Sequence, residues 1–298
     1  MAYYIKEEEP IQPGLRRIEI EQLEKAFNHL NKREKLHEAV HKVRRRFKKL
    51  RALARLVRPG IGKQDYRYYN RLYRDEARKI SDLRDATAMI ETLDHLETTN
   101  DKTANPAIFE AIRNALLQSR QEEMQSEAQV AELLKEISQN VEVAWDNPMI
   151  DTEQKIKMKH LIKGLKRVYA RGYKNYRKCQ KAMTDTNIHQ WRKRAKYLRY
   201  HLNILKKAWE PVLAVMEDEL HHLTDQLGAY HDLEVLKKEL ESSHYSLEPA
   251  DHQNIIQLIN CRQETVYQQA LQFGARLYAE KPNLFTARLG HYIKTAWK

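Results

Sequence analysis

Two eleven-residue stretches of the chain carry nearly the same pattern of charged side chains. Residues 41–51 read HKVRRRFKKLR, and residues 189–199 read HQWRKRAKYLR, 148 positions further along a chain of 298 residues. A second pair of stretches, 80–85 (ISDLRD) and 227–232 (LGAYHD), lies 147 positions apart. Two matches at nearly the same offset predict that the chain is an internal duplication, made of two copies of a four-helix unit.

The charged residues of each stretch fall on one face of a helix when the chain is advanced by 100° per residue. Apolar residues such as Phe47 and Trp191 occupy the opposite side, which we expect to pack inward. Acidic partners three or four positions away are nearly absent, so like charges repel along each helix and an external anion is the natural counter-charge. The residues of the two faces are His41, Arg44, Arg45, Lys48 and Arg51, and His189, Arg192, Lys193, Lys196 and Arg199.

The rest of the chain also favours helix over strand. It contains only 8 glycines and 8 prolines, which leaves long runs of good helix formers. Breaks are expected at Pro59–Gly62 and at Asp146–Pro148. The fold class is therefore predicted to be all-α, with a domain over 14–285 divided near 14–146 and 151–285. An N-terminal arm (1–13) and a C-terminal tail helix (283–298) flank it. The apolar periodicity predicts helices near residues 15–31, 33–57, 64–98, 107–145, 152–183, 187–208, 211–243 and 249–281.

The net charge of +12 is unevenly distributed. Residues 32–79 carry +13 and residues 155–207 carry +17, which leaves −18 for the remainder. Two concentrated positive fields on an otherwise acidic molecule indicate an anionic partner. No stretch is apolar enough to cross a bilayer, and two isolated cysteines, Cys179 and Cys261, fit a reducing cytoplasm. A cytoplasmic protein without a membrane partner is expected.

Other residue patterns extend or limit this interpretation. The cations around both histidines would repel a metal ion, so we predict no metal site and no cofactor. Nucleotide-binding and catalytic motifs are absent from the sequence, and this argues against an enzyme. Basic residues at helical spacing in the flanking helices are additional binding candidates, alongside a simpler role as solvated surface. They are Arg74, Arg78, Arg171, Lys174 and Lys178.

The duplicated motif His-x-x-Arg-[Arg/Lys]-x-x-Lys-x-Leu-Arg resembles that of the CHAD family, histidine-bearing α-helical domains. The resemblance covers roughly residues 14–285. It implies two pseudo-symmetric four-helix bundles whose basic helices line a central groove or pore that binds inorganic polyphosphate. It also implies that the ten residues of the two faces are the binding residues. The chain departs from the repeat at His231, where the first copy has Arg84.

The leading hypothesis is non-catalytic binding of long-chain inorganic polyphosphate, with targeting to polyphosphate granules. Nucleic-acid binding through the same basic surface is the main alternative, because it would use the same charge. An enzyme that processes triphosphates or polyphosphate is a second alternative. The preferred chain length, the oligomeric state and protein partners do not follow from the sequence.

Overall fold

The computed structural model describes residues 3–31, 36–80, 85–99, 105–122, 127–151, 155–242 and 247–297. Within these ranges the chain is helical and contains no strand, which confirms the predicted all-α class. No helix there is long and apolar enough to span a membrane. The α-helices are α1 (Ile11–Asn31), α2 (Leu36–Lys79), α3 (Asp85–Thr99), α4 (Pro106–Glu122), α5 (Glu127–Asp146), α6 (Met158–Cys179), α7 (Asp185–Ile204), α8 (Glu210–Ser242), α9 (Pro249–Leu277) and α10 (Pro282–Ala296).

Helix α2 folds back on itself at the predicted break. Gly62 has a φ of 88°, a left-handed conformation that a residue with a Cβ adopts only with strain. The stacked rings of Phe47 and Tyr73 lie 6.3 Å apart between centroids. A straight helix would separate residues 26 positions apart by about 39 Å. The segments 36–61 and 63–79 therefore pack side by side as a helical hairpin.

One of the predicted helices is interrupted. The prediction of one helix near 64–98 is wrong, because α2 ends at Lys79 and α3 begins at Asp85. The physical reason is packing: α2 packs on α1 and α6, whereas α3 packs on α4 and α8. Apolar periodicity that continues from one helix into the next does not show that the two helices pack against different neighbours. The helix predicted near 107–145 includes residues 123–126, which lie outside the described residues, and α4 and α5 lie on either side of them.

The buried core crosses the midpoint of the chain. Its largest cluster joins residues of α1 and α2 to residues of α6, α7, α8, α9 and α10. A second cluster holds α1, α2 and α5 together, and a third packs α3 and α4 against α8 and α9. The N-terminal segment belongs to the core too, since Ile5 is buried and its N–H donates to Ile204 O. The division into units 14–146 and 151–285 stays a prediction.

Two contacts fix α2 relative to α6 and α7. A Cβ on Gly164 of α6 would lie 2.0 Å from Leu56 O, so the two backbones touch and only glycine fits there. On α7, the fully buried His201 donates from Nε2 to Ala52 O, at 2.9 Å. Ala52 directly follows the first basic face, and His201 lies two positions after the second. This hydrogen bond therefore sets the register of the two faces.

The buried histidine predicts a loss of stability in acid. Burial lowers the pKa of His201 from 6.5 to about 4, against the hydrogen bond to Ala52, which raises it. The unfolded chain thus takes up a proton before the folded protein does. The contribution of the neutral ring is complete above pH 6.5 and falls by about 3 kcal/mol as the pH drops towards the folded pKa.

We expect His201→Gln to flatten this part of the pH dependence, because the glutamine amide can still donate to Ala52 O but does not titrate. Urea unfolding of both proteins between the two pKa values measures the effect. His222→Gln, at an exposed position of α8, is the matched control and should keep the slope of the parent protein. An unchanged slope in His201→Gln would show that other groups cause the loss.

Candidate anion-binding clefts

The two basic faces line two adjoining clefts between α2 and α7. They share five residues, Arg44, Lys48, Arg192, Lys196 and Tyr200. The first, which we call the His41 cleft, has a volume of about 480 Å³ and is lined by His41, Arg44, Arg45, Lys48, Ala88, Met89, Thr92, Arg192, Lys196, Tyr200, His231, Asp232 and Val235. The second, the His189 cleft, has a volume of about 520 Å³ and is lined by Arg44, Lys48, Arg51, Arg74, Ala77, Arg78, His189, Arg192, Lys193, Lys196, Tyr197 and Tyr200.

Positive charge dominates both clefts. Among the described residues, eight lysines and arginines and no acidic residue line the His189 cleft. Five lysines and arginines line the His41 cleft, with Asp232 as the acidic residue described there. Because side chains such as these are held close together and partly out of water, they repel one another more strongly than solvated charges would.

The lysines of α7 show the cost of this arrangement. Burial, followed by the charges of Arg192 and Lys48, holds the pKa of Lys196 well below its ordinary value. Burial also lowers the pKa of Lys193, to which nearby arginines, Arg194 first among them, contribute. A bound anion would reverse both effects, since an opposite charge favours the ammonium form. The clefts are therefore poised to bind oxyanions.

Nine of the ten predicted face residues line one or both clefts, and Arg199 does not. Arg199 Nε instead donates to Glu217 Oε1 at 2.5 Å. Glu217 comes from α8, and the sequence of α7 carries no sign of this partner. The expected face thus stops one turn short on α7, and the contribution of Arg199 to binding stays a prediction.

The additional candidates are divided between surfaces. Arg74 and Arg78, from the second segment of α2, line the His189 cleft. Arg74 also forms a bidentate pair with Asp75, at 2.7 and 3.1 Å. Arg171 lines a separate small cavity. Lys174 and Lys178 are exposed on α6 and line neither cleft.

Several lining residues were not predicted as part of a site. Tyr200 lies about 20° from His189 on the helical wheel, so extending the α7 face by one turn would have found it. The repeat singles out His231, whose ring lies 5.4 Å from that of His189. Its counterpart in the first copy, Arg84, lies outside the described residues. Ala88, Met89 and Thr92 of α3 reach the His41 cleft through tertiary packing, which no local sequence signal reports.

The clefts contain many N–H groups that can donate hydrogen bonds to an anion. Arginine offers a planar fork that matches phosphate oxygens, and lysine offers a mobile point charge. In the part of the chain that the structure describes, no three His, Cys, Asp or Glu side chains are grouped so as to hold a metal ion. The arrangement suits an anion with many charged oxygens.

The ion pair on α8 leads to a test of Arg199. Replacing Glu217 with glutamine removes the carboxylate that holds Arg199, so the guanidinium can turn towards the clefts. We expect Glu217→Gln to bind tripolyphosphate about threefold more tightly, the equivalent of about 0.7 kcal/mol for one partly exposed charge. Isothermal titration calorimetry measures the change. Asp218→Asn, the adjacent and exposed acid, is the control, and an equal gain there would mean that net charge alone is responsible.

One of two comparisons with known proteins identifies a family for the chain. A comparison with curated proteins gives no significant match. The family model of the CHAD domain matches residues 21–241, about three quarters of the chain. The match begins within α1 and extends almost to the end of α8, so it includes both basic faces. The chain belongs to the CHAD domain family.

Proposed function

We propose that the protein binds long-chain inorganic polyphosphate without processing it, and that the two clefts act as one central groove. The observation that carries the proposal is that basic faces 148 positions apart in the chain line the same clefts. Family membership supports a phosphate-related ligand. Location in the cytoplasm and recruitment to polyphosphate granules are part of the same proposal.

A linear phosphate polymer fits such a groove better than a small anion does. Each basic face extends about 15 Å along its helix, so successive charged groups of one chain can contact successive side chains. Once one group is bound, the next contact is intramolecular, and modest single contacts add up to tight binding. A monophosphate would gain only one of them.

We also infer that the groove arose by duplication. Helix α1 begins at Ile11 and α6 at Met158, an offset of 147 residues. The basic face of the first segment of α2 begins at His41 and that of α7 at His189, an offset of 148. Each pair of helices thus repeats at nearly the spacing of the sequence motifs. Two pseudo-symmetric four-helix bundles are the architecture that this correspondence supports.

Nucleic acid is a weaker candidate for the same groove. Sequence-tolerant binding of single strands commonly uses exposed aromatic rings on which bases stack. The aromatic residues described in the clefts are Tyr197 and Tyr200, and Tyr197 is buried beneath the Arg55 guanidinium, 4.0 Å from its ring centroid. That leaves the half-buried Tyr200 as the one described ring for stacking. Charge would then supply most of the binding, so polyphosphate should displace nucleic acid far more readily than the reverse.

The central test removes charge from the clefts. Lys193→Gln with Lys196→Gln deletes two contacts to charged groups, each worth roughly 1.4 kcal/mol, so we expect binding of long polyphosphate to weaken about a hundredfold. Titrations with polyphosphates of graded length measure the affinity per chain. A separate assay with added Mg²⁺ measures any release of orthophosphate. Affinity should rise with chain length and fall with salt.

Lys174→Gln with Lys178→Gln is the matched control, because it makes the same change in net charge on an exposed part of α6. We expect this variant to bind almost as tightly as the parent protein. If both double variants lose affinity for polyphosphate equally, the protein binds polyphosphate by non-specific charge attraction and not in the groove. Orthophosphate release that the cleft variant abolishes would favour the enzyme instead.

The histidines make binding depend on pH. Burial lowers the pKa of His189 below 6.5, followed by the charges of Lys193, His231 and Arg192. Burial likewise lowers the pKa of His231. The charges of Arg192 and Lys196 also lower this pKa, whereas Asp232 raises it. A bound polyanion raises both pKa values, so binding takes up protons and strengthens as the pH falls.

We expect the His189→Gln/His231→Gln variant to lose most of this dependence between about pH 5.5 and 7.5. Affinities measured across that range in the parent and in the double variant test it. His41→Gln, which changes an exposed histidine of the other face, shows whether that histidine also contributes to the pH dependence. A parent protein with constant affinity over the range would exclude the histidines from the site.

A further inference from the structure

A second group of cations lies beside the clefts. Arg194, the residue after Lys193, lines neither cleft and faces a small cavity between α2, α6 and α7. We call the charged and aromatic residues of this cavity the arginine cluster. They are Arg55, Arg58, Tyr66, Arg167, Arg171 and Arg194.

The arginine cluster lacks a counter-charge among the described residues. No ion pair joins any of its five guanidinium groups to a described carboxylate. Burial lowers the pKa of Arg194, and the charges of Arg171 and Arg167 lower it further. Tyr197 and Tyr66 act in the opposite direction. Burial also lowers the pKa of Arg167, and Arg58 and Arg171 act in the same direction. Arg194 Nε is buried without a hydrogen-bond partner. Such an arrangement is costly unless an anion completes it.

Two of the guanidinium groups are held in place by tyrosines. Arg55 lies over the ring of Tyr197, 4.0 Å from the ring centroid, and donates from Nη1 to Arg51 O at 2.7 Å. Arg58 lies over Tyr66, 4.6 Å from its centroid. These contacts fix the planes of the two groups before any ligand arrives, which lowers the entropic cost of binding.

The size of the cavity limits what it can hold. Its volume is about 10 Å³, close to the space of one water molecule. A phosphate chain cannot pass through it. A single phosphate group can bind at its mouth, where the exposed side chains of Arg167 and Arg171 can close over the oxygens.

We propose that the arginine cluster binds one terminal phosphate group, which is either free orthophosphate or the end of a phosphate chain. A terminal phosphate carries a charge of roughly −1.5 to −2 near neutral pH, more than an internal phosphate with its single ionised oxygen, and so suits a site with five arginines. Arg55 follows Arg51 by one turn of α2, so a chain in the His189 cleft can place its end here. Only the chain-end form rests on the function proposed above.

Thermal unfolding with added orthophosphate tests the free form. Sodium chloride at equal ionic strength serves as the reference. We expect a saturable rise in Tm for the parent protein and no such rise for Arg194→Gln or Arg167→Gln. We expect both variants to fold, because Arg167 is exposed and because removal of the buried charge should make Arg194→Gln more stable without phosphate. Lys174→Gln, at an exposed position of α6 outside the clefts and the cluster, should keep the response to orthophosphate.

Phosphorus NMR of linear tripolyphosphate tests the chain-end form, because terminal and internal phosphates give separate resonances. The terminal resonances should broaden more than the internal one on the parent protein, and equally on Arg167→Gln. Cyclic trimetaphosphate, which has no terminal group, should not compete with orthophosphate for the cluster.

The two proposals fail in different ways. If orthophosphate still stabilises the parent protein but long polyphosphate does not bind, the function of the clefts is wrong and the arginine cluster stands. If long chains bind but neither orthophosphate nor chain ends respond to Arg167→Gln and Arg194→Gln, the arginine cluster is not a phosphate site.

Discussion

The contact between α2 and α7 is the constraint on which the clefts depend. Each helix presents a row of like charges, and two such rows left to themselves would move apart. The hydrogen bond from His201 to Ala52 O and the close crossing at Gly164 hold them in a fixed register. Burial of Trp191 and its neighbours supplies the free energy that resists the repulsion. The apolar side of each helix thus keeps the charges of its other side together.

The distribution of acidic residues serves the same arrangement. The chain outside the two basic segments carries a net charge of −18, yet few carboxylates reach the clefts. Glu217 of α8 forms an ion pair with Arg199, and Arg199 does not line either cleft. Asp232 is the described acid that remains, next to His231 in the His41 cleft. Positive clefts on an otherwise acidic molecule attract anions to one place and repel them elsewhere.

Much of the site could be predicted from spacing alone, because a helix places residues three and four positions apart on one face. Nine of the ten face residues follow from that rule. The exception, Arg199, depends on a carboxylate from another helix, which is tertiary information. For the same reason the periodicity around residues 64–98 hid the boundary between α2 and α3. Arg194 lies about 140° from His189 around the axis of α7. Helical spacing therefore places it on neither the basic nor the apolar face and does not predict its neighbours.

The hairpin within α2 has a consequence for how the molecule assembles. Its segments meet after only a short stretch of chain, so Phe47 and Tyr73 can pair early, when loop closure costs little entropy. Because synthesis proceeds from the N-terminus, Arg51 comes to lie near Arg74 and Arg78 before α7 has been made. The nascent chain therefore carries half of a positively charged cleft with one wall missing. Because these like charges oppose closure of the hairpin, a multivalent anion that screened them would lower that opposition before the second wall is made.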